Sequence, residues 1–89
     1  MNWQIDLHSR ALRFLEVNKI SQNEIIEIIK KTLKKFQGED VNIDIVKIKG
    51  KWLGFHRIKI GKLRIIAEFN FERKRVYVEV IDWRGSAYK

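Results

Sequence analysis

The 89-residue chain has neither cysteine nor proline. Without thiols there is no disulfide framework and no thiolate set for zinc or an iron–sulfur cluster, which fits a cytoplasmic protein. The two histidines, His8 and His56, lie far apart and lack the short spacing of a metal pair, so both read as polar surface or strand-edge residues and no metal or other cofactor is expected. Apolar runs stop at four residues or fewer, cut by Lys, Arg or Glu, so neither a membrane-spanning helix nor a signal-peptide core is foreseen. Also missing are a glycine-rich phosphate loop, a nucleophile elbow and a pair of catalytic carboxylates. A single Met among many Ile, Lys and Glu residues is the composition of a heat-adapted protein.

What is present is a hydrophobic content of 45%, enough for one core, in a chain too short to divide; residues 1–89 are read as a single domain. Anions are scarce in only one half. Residues 1–44 carry seven cations and seven anions, whereas residues 45–89 carry twelve cations and four anions, so the whole net charge of +8 belongs to the second half. Such asymmetry favours a polyanionic partner, nucleic acid ahead of an acidic protein or a membrane surface.

Trp3, Ile5 and Leu7 alternate with polar residues, as in a half-buried strand. The period then changes. Ala11, Leu12, Phe14 and Leu15 suit a short helix from Ser9 to near Asn18, and Ser21 with Glu24 forms a capping box that starts a second helix. Ile25, Ile28, Ile29, Leu33 and Phe36 give that helix an apolar stripe, four lysines suit its C-terminal end, and Gly38 supplies a left-handed cap. Beyond Gly38 the pattern is β: a strand from Val41 to Gly50 with a phase slip after Ile45, then Leu53 to Ile60, Leu63 to Phe69 and Val76 to Ile81. The fold class is α+β, ordered β-α-α-β-β-β-β, with two helices on one face of a mainly antiparallel sheet and the opposite face left open.

Ile60-Gly61-Lys62-Leu63 reads as a two-residue hairpin turn, which sets Lys59 opposite Arg64 and Arg57 opposite Ile66. Alternation then sends Ile58, Ile60, Leu63 and Ile65 toward the helices and gathers Arg57, Lys59 and Arg64 on the other face. Like charges directly opposite one another are destabilising, and the only acid this register brings near is Glu68, two strand steps along. An anion site, most simply for a phosphodiester, competes here with an ordinary solvated strand face.

Three segments carry a resemblance: Val46-Lys47-Ile48-Lys49-Gly50; Phe55-His56-Arg57-Ile58-Lys59-Ile60-Gly61-Lys62-Leu63-Arg64-Ile65-Ile66; and Val78 to Ile81 followed by Asp82-Trp83-Arg84-Gly85-Ser86-Ala87-Tyr88. In this order they resemble the RelE/ParE toxin superfamily, and the closing Arg84 to Lys89 looks most like archaeal members of the RelE branch. The resemblance implies the toxin of a type II toxin–antitoxin system, a ribosome-dependent endoribonuclease that needs no metal and cuts mRNA in the ribosomal A site. It implies catalytic roles for Arg57, Lys59, Arg64, Arg84 and Tyr88, with Arg64 stabilising the phosphate, Arg84 neutralising it or protonating the leaving oxygen, and Tyr88 stacking on or orienting a base. Arginine is a poor proton acceptor, so a general-base role passes from Arg57 to Lys59 or Tyr88. Ala67 stands where relatives often have an aromatic, and Trp83 where many have His; Trp83 reads either as a base-stacking platform or as a cap on the sheet end.

Lys47, Lys49 and Lys51 either contact ribosomal RNA or keep a strand edge soluble, and Arg73-Lys74-Arg75 is a charged hairpin tip. The implied partners are mRNA on the ribosome and a cognate antitoxin that masks the cations with an acidic amphipathic segment. Two other readings stay open, a ParE-like inhibitor of DNA gyrase on the same fold and an RNA-binding domain that does not cleave. The tail residues Arg84 and Tyr88 favour the ribonuclease.

Overall fold

The computed structural model describes residues 3–50 and 54–83. Strand β1 (Gln4–Leu7) leads into α1 (Ser9–Asn18) and α2 (Gln22–Phe36), and four strands follow: β2 (Asp44–Lys47), β3 (Phe55–Ile60), β4 (Leu63–Asn70) and β5 (Arg75–Trp83). The sheet order is β1-β5-β4-β3-β2. Only β1 with β5 is parallel; the other three pairings are antiparallel, and the two helices carry the chain from one sheet edge to the other.

The helices form where their ends are chemically marked. His8 caps α1 with its imidazole Nδ1, which accepts the Arg10 N–H at 3.1 Å. Ser21 caps α2, its Oγ accepting the Glu24 N–H at 3.2 Å. At the far end of α2, Gly38 at φ +91° donates to the Lys35 carbonyl while Glu39 donates to that of Lys34, the paired bonds of a Schellman motif. The same motif ends α1, but there a lysine, Lys19, takes the left-handed position at φ +55°.

Ala11 and Leu15 of α1 and Ile25, Ile29 and Leu33 of α2 are buried against Ile58, Ile65, Ala67, Val76, Val78 and Ile81 of the sheet. Thr32, buried in the same layer, gives its hydroxyl to the Ile28 carbonyl at 2.9 Å, so no polar group is stranded there. The expected strand 41–50 is shorter than its apolar spacing implied. Ile43 reaches the core from an irregular segment, where its carbonyl accepts the Lys35 ammonium at 2.7 Å, and beyond Lys47 only the Ile48 N–H bond to Phe55 continues the ladder among the described residues. Tertiary ties, rather than strand pairing, bury these residues.

Candidate nucleic-acid interface

Gly61 stands at φ +57°, and Lys62 has no positive φ, the pattern of a II′ hairpin turn. The turn joins Ile60 to Leu63, Lys59 to Arg64, Ile58 to Ile65 and Arg57 to Ile66, as the sequence requires. Ile58 and Ile65 are fully buried under the helices. Arg57, Lys59 and Arg64 therefore share the open face, all half-buried rather than extended into solvent. The Arg57 Nε is shut away from water and finds no hydrogen-bond partner among the described residues. Beside it lie Val46 on β2 and Ile66 on β4, the latter fully buried although it faces away from the helices. Apolar flanks around a guanidinium lower the local dielectric and strengthen its attraction for an anion.

The neighbouring strands correct the expectation that Glu68 is the only acid nearby. Asp44 of β2 is directly opposite Lys59, and Asp82 of β5 is directly opposite Arg64. One row across four strands thus reads Asp44, Lys59, Arg64, Asp82. Asp82 is held in place, its Oδ1 accepting the Trp83 N–H at 2.7 Å. Neither acid was legible beforehand. The β2 register depends on an irregular approach, and the β4–β5 register on a bulge, where Ile66 pairs with Val80 but Ala67 with Val78. Glu79, the extra residue, turns toward the start of α1, where its carboxylate accepts the Arg10 guanidinium at 3.1 Å and stands 3.8 Å from the His8 Nε2. Without that bulge the face of every β5 residue beyond it would be inverted.

The remaining predicted residues are dispersed. Lys47 pairs with His56 on the helix-bearing face of edge strand β2, and Lys49 is exposed in the segment after it. Trp83 also turns to the helix side, its ring 5.3 Å from that of Phe14, and keeps 42% of its surface exposed. It is therefore on the opposite face from Lys59 and Arg64. Lys51, Arg84 and Tyr88 lie outside the described residues. Farther along the open face Asp6, Glu68, Asn70, Arg73, Arg75 and Tyr77 line a cleft of about 310 Å³, in which Arg75 and Asp6 form an ion pair at 3.3 Å.

His56 differs from the strand-edge residue anticipated. Its ring packs edge-on against Phe36 at 5.1 Å and Phe69 at 5.5 Å, opposite the small Ala67, and its Nδ1 has no partner among the described residues. Burial among these rings, and secondarily the Lys47 charge, holds the imidazole below the ordinary histidine value of 6.5.

No family model matches the chain, and no curated protein matches it in sequence. Solved structures do. The chain is similar to the archaeal RelE of the RelE–RelB complex from Pyrococcus horikoshii OT3, with a TM-score of 0.67, 19% identity and coverage of 98% of this chain and 100% of that one. A single-substitution mutant of YafQ from E. coli gives a TM-score of 0.69 at 9% identity over 99% of this chain and 100% of that one. The RelB–RelE antitoxin–toxin complex from Methanococcus jannaschii gives 0.57 at 24% identity over 91% and 92%. These likenesses cover nearly whole chains on both sides, so the β-α-α-β-β-β-β arrangement is the RelE fold.

Proposed function

Starting from that fold, we propose that the chain is the toxin of a type II toxin–antitoxin system, a ribosome-dependent endoribonuclease acting on mRNA in the A site. The observation that carries the reading is the juxtaposition of Lys59 and Arg64 across the β3–β4 pair, with Arg57 one step behind, on the face the helices leave open. Three half-buried cations on a rigid sheet supply the charge stabilisation at phosphorus that a metal-free cleavage needs.

In the reaction, the O2′–P bond forms as the P–O5′ bond breaks, leaving a 2′,3′-cyclic phosphate and a 5′-hydroxyl. The 2′-hydroxyl proton goes to Lys59 in its neutral amine form or to Tyr88. Arg64, and behind it Arg57, binds the non-bridging oxygens as their charge grows. Arg84 neutralises the phosphate or supplies the proton to O5′, and Tyr88 orients a base by stacking. Lys47, Lys49 and Lys51, on and after an edge strand, supply phosphate contacts to ribosomal RNA, and the exposed part of Trp83 gives a stacking edge next to Arg84. The antitoxin is an acidic amphipathic segment laid over the cations, and the place of action is the cytoplasm; no helix among the described residues is long and apolar enough to cross a membrane.

The test incubates the protein with programmed ribosomes and maps new 5′ ends, beside the double variant Arg64→Ala/Arg84→Ala. Cleavage by the wild type that falls by at least about 100-fold in the variant supports the reading, since loss of one oxyanion-stabilising donor alone costs about that much. Cleavage that survives in the variant rejects the site. Gyrase inhibition with intact mRNA rejects the ribonuclease.

A further inference from the structure

The row Asp44, Lys59, Arg64, Asp82 is formally neutral, although its two central residues are both cations. Directly opposite residues in a sheet hold their Cβ atoms about 4.5–5.5 Å apart, so each acid is as near to its cation as the two cations are to each other. The Trp83 N–H donates to the Asp82 Oδ1 and holds that oxygen beside its own backbone.

We propose that Asp44 and Asp82 are built-in counter-charges of the phosphate site, set opposite Lys59 and Arg64 and competing with a substrate phosphate for them. The inference rests on the assignment of Lys59 and Arg64 to that phosphate. An ordinary phosphodiester carries a single negative charge. In displacing a carboxylate it exchanges one anion for another and gains little. A phosphate under attack accumulates further charge on its oxygens and draws on both cations at once. The acids thus weaken capture of loosely presented RNA more than they weaken the reacting complex. They make the site selective for a phosphate that is already positioned by other contacts, and leave most of the chain's cationic excess elsewhere free for steering.

Binding of a fluorescent single-stranded oligoribonucleotide, measured without ribosomes, tests this. Wild type is compared with Asp44→Asn and Asp82→Asn, with Glu16→Gln, which removes the same charge from the exposed side of α1, and with Arg64→Ala alone and combined with Asp82→Asn. Asp44→Asn and Asp82→Asn are expected to bind about 1.5- to 5-fold tighter, the span of exposed ion-pair energies. Glu16→Gln should change affinity less, and the effect of Asp82→Asn should vanish once Arg64 is gone. On ribosomes KM should fall in the aspartate variants with kcat not raised. Equal tightening by Glu16→Gln, or tightening that persists without Arg64, overturns the proposal. Weaker binding by Asp82→Asn also overturns it, making Asp82 an orienting group for Arg64. If Arg64→Ala leaves RNA binding intact, the phosphate site falls and the counter-ions with it; if Arg64→Ala weakens binding while Asp82→Asn is neutral, the counter-ions fall alone.

Discussion

His56 sits where an imidazole is poorly placed to carry a proton, between two phenyl rings and opposite Lys47. Its folded-state pKa lies below the unfolded value of 6.5, so between the two the unfolded chain binds more protons. The stability this residue contributes is therefore complete above about pH 6.5 and is lost as pH falls through the folded value. Thermal melts over that range should show wild type losing stability on acidification. His56→Leu, which keeps an apolar volume at the site, should flatten that loss; equal slopes would show that His56 does not carry the effect. Nothing in the neighbouring sequence announced this environment, because Phe36, Phe69 and Phe71 arrive from α2, β4 and the turn after it. Lys59 and Arg64 were legible for the opposite reason. Their pairing depends on two turn residues and a period of two, both local.

At the scale of elements, the two helices meet at Lys19 and Ser21, and the two positions have opposite quality. Ser21 satisfies a free amide of α2, so Ser21→Ala should cost about 1 kcal/mol. Lys19 closes a Schellman motif in a left-handed conformation that costs an L-residue about 1–2 kcal/mol, partly offset in any exchange by glycine's greater freedom when unfolded. Lys19→Gly should therefore raise stability by about 0.5–1 kcal/mol, visible in melts as an increase of several degrees, on the order of 4–8 °C per kcal/mol for a domain of this size. A fall in stability would show that the lysine is favoured by something other than backbone geometry. The ends of α2 were legible because Ser21, Glu24 and Gly38 mark them locally. The length of β2 and the β4–β5 bulge were not, since apolar residues recur from Val41 to Ile48 and from Val76 to Ile81 whether or not a partner strand is present. The same irregularities hid Asp44 and Asp82 from a reading that located the cations between them.

For the molecule as a whole, the cationic second half of the sequence supplies the three central strands and nearly all of edge strand β2, while the neutral first half supplies both helices and edge strand β1, so most of the charge excess lies in the sheet layer. RNA affinity should fall with added salt, and Arg57→Ala should reduce the slope of log K against log salt by about 0.7 if that residue holds one phosphate of a single strand. An unchanged slope would remove Arg57 from the interface. The sheet also has an order of assembly. Among the described residues strand β1 pairs with β5 alone, with Gln4 beside Arg75, and β5 in turn needs β4. Pairings so distant in sequence carry a large loop-closure cost and form late. A growing chain can wind α1 and α2 early, but their apolar faces have no complete sheet to cover until β5 has been made. The surface that gathers Lys59 and Arg64 between Asp44 and Asp82 comes into being only when that strand arrives, so the finished cationic face follows β5 in the order of synthesis and cannot precede it.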